Sequence, residues 1–333
     1  MQAVGGNAKN TRRNLNIMNI DGMLHGNDLF GQPLTPKVDS PVKQKFIIAP
    51  FSILNTREGD WQDRKRKWLA LGIKSEVGRS ENLMNLSNAV QAFDRYRGIE
   101  AGESTDDQKL TGTSVFDPVL CELMYRWFCK PGGQIIDPFS GGSVRGVIAG
   151  LLGFKYWGCD LREEQINANI EQGKELLPDA PPTWVCGDSR ETIDGAPRAD
   201  FLFSCPPYGD LEVYSKNPKD LSNMEWAQFK QAYCEIIYKA VGRLRDNRFA
   251  CFVVSEIRDD KGHYRNFVGL TVQAFIDAGC RYYNEAILVN SIGTLPIRIN
   301  GYFNGSRKMG RTHQNILIFA KGSAEIAAAQ VIQ

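Results

Sequence analysis

The chain has 333 residues, enough for one large domain or two modest ones with a sizeable core. Its 42% apolar and 23% charged residues are those of an ordinary soluble globular protein, and 40 Lys+Arg against 38 Asp+Glu leave a net charge of +2, which excludes a plain polycation that coats nucleic acid. The eight cysteines lie far apart without a C-x-x-C pair, so neither a zinc ribbon nor a secreted disulfide framework is indicated and a reducing cytoplasm is expected. The first thirty residues carry no apolar signal core, and no run approaches the ~18–20 apolar residues of a membrane span.

In chain order, residues 1–45 are Asn-rich with Gly5-Gly6, Pro33, Pro36 and Pro41, and read as a flexible arm. Residues 46–112 form an N-terminal extension. In it, Phe46-Ile47-Ile48-Ala49 is predicted as a strand and residues 61–71 as a helix closed by Gly72. Trp61 and Trp68 share one face of that helix as core. The basic run Arg64-Lys65-Arg66-Lys67 reads either as a phosphate grip or as a solvated face. From residue 113 helices and strands alternate: helix 118–128, strand 134–137, a helix through Val144 and Val147, strand 155–160, helix 163–177, and strands 184–186 and 201–203. An amphipathic helix over 224–244, strand 249–254, helix 266–278 and the strands 286–289 and 316–319 complete the pattern. Such alternation predicts an α/β doubly wound, mostly parallel sheet, with the last two strands as a closing pair. Residues 323–333 are a C-terminal tail.

In such sheets a ligand sits beyond the carboxyl ends of the strands. Three features fall there: the turn Asp137-Pro138-Phe139-Ser140-Gly141-Gly142, Asp160 at the end of the next strand, and Asp188 after the third. Glycines let backbone approach a ligand. Asp160 suits ribose hydroxyls and Asp188 an adenine amino group. The full G-x-G-x-x-G is absent, which favours a nucleoside without pyrophosphate, S-adenosyl-L-methionine, over NAD. Strand 201–203 ends in Ser204-Cys205-Pro206-Pro207-Tyr208. Two prolines stiffen that loop and leave its carbonyls free to accept, and Tyr208 offers a π-face to an extruded base.

Asp-Pro-Phe-Ser-Gly-Gly together with Pro-Pro-Tyr resembles the cofactor and catalytic motifs of S-adenosylmethionine-dependent DNA methyltransferases. The phage and prophage group of DNA methylases is similar also through Phe51, Trp61, Arg64-Lys65, Trp68, Leu71-Gly72-Ile73, Phe116-Asp117-Pro118, Val144-Arg145-Gly146 and Leu211-Glu212-Val213-Tyr214-Ser215. The resemblance spans roughly residues 50–322. It implies a class I methyltransferase (Rossmann-like) domain over 113–322, cofactor contacts at Asp137, Phe139, Ser140, Gly141, Asp160 and Asp188, and a base-facing loop at Cys205, Pro206, Pro207 and Tyr208. Ser143 stands where the usual F-x-G-x-G has its last glycine.

The resemblance leaves the methylated atom to the first loop residue. Amino-methylating enzymes carry Asp, Asn or Ser there, as acceptor for the exocyclic amino group. Cys205 is a weak acceptor and a strong nucleophile as thiolate. Cytosine C5 methylation needs such a nucleophile at carbon 6, and an acid on N3 and the amino group, for which Glu256 at a strand end is the candidate. The plain alternatives are a small buried cysteine and a surface carboxylate. Against C5, the cysteine here precedes two prolines, whereas in the C5 family it follows one, and Ser204 is an alternative acceptor for amino methylation (N4-cytosine or N6-adenine). An RNA methyltransferase and a non-catalytic DNA-binding protein on the same fold are the other readings. Between Glu285 and Glu325 there is no acidic residue. The insertion 291–312, with Arg298, Arg307, Lys308 and Arg311 among Gly, Asn, Tyr302 and Phe303, is the expected double-stranded DNA face, with solvated loop charge as the competing view.

Overall fold

The computed structural model describes residues 41–74, 116–209, 217–293 and 295–331. Pro41–Phe46 (α1), Ile53–Asn55 (β1) and Gly59–Ala70 (α2) come first. Pro118–Phe128 (α3) follows, with Pro118 in its first turn and Asp117 capping Val119 N at 2.9 Å. Then come Gln134–Asp137 (β2), Val144–Leu151 (α4), Lys155–Asp160 (β3), Glu163–Leu176 (α5), Thr183–Cys186 (β4), Ser189–Thr192 (α6) and Ala199–Ser204 (β5). Trp226–Arg243 (α7), Leu244–Val254 (β6), Phe267–Asp277 (α8), Arg281–Val289 (β7), Leu295–Ser306 (α9), His313–Lys321 (β8) and Ala324–Val331 (α10) complete the chain.

The strands make one eight-stranded sheet in the order β1-β7-β8-β6-β5-β2-β3-β4. All pairings are parallel except those of β8, which runs antiparallel to both β6 and β7. The reversed strand is inserted between the sixth and seventh of a doubly wound, Rossmann-like and mostly parallel sheet, the α/β fold expected from the sequence. The middles of the central strands are apolar because each face carries its own core. Ile135, Phe201, Phe203, Cys251 and Val253 point into one, with α3 and α4. Ile136, Leu202, Ala250, Phe252 and Val254 point into the other, with α7 and α8. Each Ile, Leu, Val or Phe among them contributes about 1.5–3 kcal/mol by leaving water. The helix α4 lies so close that a Cβ on Gly146 would come within 2.4 Å of Trp184 Cζ2.

Two expectations are corrected, and two further regions take a definite form. Residues 46–49 are not a strand: Phe46 ends α1, Ile47 sits at φ 70°, and the strand lies instead at β1. A short apolar run does not distinguish the two by periodicity. The extension contributes a strand to the sheet: β1 adds to β7 in parallel register, Leu54 opposite Leu288. The insertion is no open loop, because α9 occupies Leu295–Ser306 despite two glycines. The C-terminal tail is helix α10, its Ala327 buried on the core. Residues 1–40, 75–115 and 210–216, including the Leu211–Ser215 motif, lie outside the described residues. Among those described, no helix is long and apolar enough to cross a membrane.

Candidate active site

Three connections leave the carboxyl end of the sheet beside one another and wall a cavity of about 660 Å³. The first is the β2–α4 turn. Gly141 holds φ +49° with open space where a Cβ would stand, and its N–H donates to Asp160 Oδ2 at 3.0 Å. Phe139 lines the wall, its ring packed on Tyr233 and Phe252. Asp137 does not line it. The Asp137 carboxylate is fully buried, accepting from Arg145 Nε (2.5 Å), Tyr156 Oη (2.7 Å), Ser204 Oγ (2.5 Å) and Phe139 N (3.1 Å). It braces the turn from behind. Ser140 also stands behind the wall, its N–H on Cys159 O and its buried Oγ without a hydrogen-bond partner. Sequence reasoning missed Arg145, whose guanidinium joins Asp137 to the Phe139 carbonyl and lies over the Phe116 ring at 4.6 Å. Burial acts to lower its pKa and the Asp137 charge more than offsets this, so it stays cationic.

The second connection follows β3. Asp160 accepts from Gly141 N and, at 3.0 Å, from Arg162 N, which leaves further lone pairs toward the cavity. Burial raises its pKa, against the lowering effect of those amides and Arg162, and Asp220 across the cavity adds to the rise. The third connection, after β4, departs from expectation. Asp188 lines the cavity, but caps Arg190 N and is forked by the Arg190 guanidinium, with Nη2 at 2.5 Å. Burial would raise its pKa; the Arg190 contacts outweigh that and hold it below the usual range.

Beyond β5, Cys205, Pro206, Pro207 and Tyr208 all line the same cavity. Cys205 Sγ lies half-buried, 3.5 Å from Tyr208 Oη. Ser204, the alternative acceptor, is fully buried with its hydroxyl on Asp137. Glu256 reaches the cavity wall, yet both its oxygens accept helix N–H groups, Phe267 N at 3.0 Å and Val268 N at 3.1 Å. It anchors α8, with acceptor capacity left on each oxygen as at Asp160. Asp220, Leu221 and Lys219 close one side.

The far wall comes from Lys65 of the basic run and Phe116-Asp117, and from residues the sequence did not single out: Thr56 and Gln62 of the extension, and Asn290 and Gln314, with His313, around the β7–β8 ends. The strands β1 and β7 run parallel to β5, so their ends meet the cavity; only the tertiary register reveals this. Of the basic run, Arg64 is not a phosphate grip. It is buried, bonded through Nε and Nη2 to the buried Glu122 at 2.5 and 2.6 Å. Burial and then Arg311 lower the His313 pKa, which favours the neutral imidazole. Arg311 lines the cavity and donates to His313 O and Asn315. Arg307 is exposed over the Phe303 ring, Lys308 is half-buried, and Arg298 lies within α9.

No protein-family model and no curated protein matches the sequence. Among solved structures the chain is similar to TrmN from Thermus thermophilus, with 14% identity and a TM-score of 0.42 over 62% of this chain and 49% of that one. It thus spans about half the length of that neighbour. It is also similar to magnesium protoporphyrin IX methyltransferase (ChlM) from Synechocystis PCC 6803 with bound SAM, with 10% identity and a TM-score of 0.43 over 71% and 92% of the two chains. A methyltransferase from Pyrococcus furiosus gives 14% and 0.41 over 71% and 100%. Likenesses this remote do not bear on the substrate.

Proposed function

We propose that this chain is an S-adenosylmethionine-dependent DNA methyltransferase, of the kind found in phage and prophage, acting on double-stranded DNA in the cytoplasm and methylating a flipped cytosine at C5. What carries the choice of atom is the contrast at the end of β5. The Cys205 thiol faces the cavity, whereas the Ser204 hydroxyl that amino methylation would use is buried on Asp137.

The residues present fit the cofactor. The cavity is within the range of ligand sites, ~300–1,000 Å³. One wall is a glycine turn that leaves room for backbone to approach, and bonded to it stands a desolvated strand-end carboxylate. Asp160 would hold the ribose hydroxyls, Phe139 and Gly141 the nucleoside, and the segment around Asp188 its base. When bound, S-adenosylmethionine would supply an electrophilic methyl group on a sulfonium, whose bond pair stays on sulfur as a neutral thioether. Cys205, as thiolate, forms a bond from Sγ to carbon 6 of the cytosine, and the electron pair of the C5=C6 bond takes the methyl at C5. Loss of the C5 proton to water re-forms the double bond and expels Sγ as the thiolate. Tyr208 packs the extruded base and the prolines fix the loop.

Amino methylation is the second reading, favoured by the hold of α8 on both Glu256 oxygens, which ties the candidate acid for cytosine N3 to a helix terminus. Mass spectrometry of nucleosides from DNA incubated with enzyme and cofactor tests both. The expected product is 5-methylcytosine, with covalent trapping on 5-fluorocytosine DNA that Cys205→Ser abolishes. Appearance of N4-methylcytosine or N6-methyladenine instead refutes the nucleophile. RNA offered in competition separates the nucleic acids, and absent binding of S-adenosylhomocysteine in calorimetry would indicate a non-catalytic DNA-binding protein.

A further inference from the structure

We propose that Lys65, carried to the cavity by the N-terminal extension, holds the carboxylate at the end of the cofactor's amino-acid tail. The inference deepens the cofactor assignment and rests on it, whichever nucleic acid and whichever atom take the methyl group. S-adenosylmethionine is a linear molecule: adenine, ribose, sulfonium, and a tail ending in an ammonium and a carboxylate. An anion taken out of water needs a partner of opposite charge. Asp188 follows β4, Asp160 follows β3 and the glycine turn follows β2, and these three strands are neighbours in the sheet. With the base at Asp188 and the ribose at Asp160, the sulfonium falls between the glycine turn and the Cys205 loop of β5, the next strand over. The tail is left the wall beyond them.

That wall is the approach to α3. The Phe116 ring packs edge-on against Phe203 of β5 and under the Arg145 guanidinium of α4, and Asp117 and Lys65 line the cavity with it. Asp117 fixes the ammonium there. Its Oδ1 caps Val119 N, while its Oδ2 accepts from Trp61 Nε1 at 3.2 Å and pairs with Lys65 Nζ at 3.0 Å. An ammonium has three protons, so a bond to Asp117 leaves donors for a second acceptor. Trp61 and Arg64 tie the same helix to Asp117 and the buried Glu122, so Nζ is carried on a fixed element. Lys65 is half-buried between the buried Arg64 and the exposed Arg66, and partial loss of water strengthens a contact between charges. Other cations of the cavity stand elsewhere along the cofactor: Arg162 beside Asp160, Lys219 on Glu191 near Asp188, and Arg311 ahead of β8. Arg145 shares the corner, but its guanidinium is buried against Asp137 and the Phe139 carbonyl.

The test is calorimetric binding of two ligands to the full chain without DNA: S-adenosylhomocysteine, and its decarboxylated analogue, which keeps the amine and lacks the carboxylate. Lys65→Met is expected to weaken S-adenosylhomocysteine about tenfold and to leave the analogue no weaker, so that the wild-type preference for the carboxylate disappears. Lys65→Arg, which keeps the cation, is expected to retain most of that preference. An unchanged affinity for S-adenosylhomocysteine in Lys65→Met overturns the proposal, as does an equal loss for both ligands. If Lys65→Met does not fold, Lys65→Gln is measured in its place and the same outcomes decide. A wild-type chain that binds neither ligand removes the cofactor assignment and the proposal together, whereas wild-type binding that the substitution leaves untouched removes the proposal alone.

Discussion

Individual carboxylates, alike in the sequence, take opposite roles by their surroundings. Asp137 is a buried brace, Asp188 an ion-paired cap, Glu256 a helix anchor, and Asp160 a cavity-facing carboxylate with a raised pKa. The sign of that shift has a consequence. A carboxyl with a raised pKa takes up its proton earlier as pH falls, and a protonated Asp160 loses acceptor strength for ribose hydroxyls. Titration calorimetry of S-adenosylhomocysteine between about pH 8 and pH 5 should therefore show affinity weakening above the pH at which an ordinary carboxylate would act, and Asp160→Asn should flatten that part of the profile. In the unliganded protein the same shift means that ionised Asp160 costs stability at neutral pH, a cost relieved as pH falls through its raised pKa.

At the scale of elements, the extension is locked to the sheet domain by charge as much as by apolar contact. Trp61, Arg64 and Trp68 occupy one face of α2, and all three donate into α3 or its cap: Trp61 Nε1 to Asp117, Arg64 and Trp68 to Glu122. The tryptophans were legible as core from their spacing, whereas the burial of Arg64 was not, because its partner lies in another element. Removing one partner strands the other's charge. Glu122→Ala should lower unfolding free energy by about 3–5 kcal/mol in a denaturant titration. Since Gln62 and Lys65 line the cavity from the same helix, it should also weaken binding there.

For the whole molecule, the net charge of +2 hides an uneven distribution. The acid-free stretch between Glu285 and Glu325 spans the β7–β8 connection, which leaves the same end of the sheet as the cavity. If Arg307 and Lys308 neutralise phosphates, the double variant Arg307→Ala/Lys308→Ala should bind all DNA sequences more weakly, with the slope of log affinity against log salt reduced by about one per contact. Fluorescence anisotropy at several salt concentrations measures it, and an unchanged slope would assign these charges to solvent. The sequence by itself determined the alternation of elements, the glycine turn and the Cys-Pro-Pro-Tyr loop, because hydrophobic period, glycine and proline act locally. The tertiary structure alone decided that β1 joins the sheet beside β7, that α9 forms in a run rich in Gly and Asn, and which carboxylates remain available. Those outcomes depend on pairing partners distant in the chain, and a hydrogen bond or ion pair between remote residues leaves no period in the sequence.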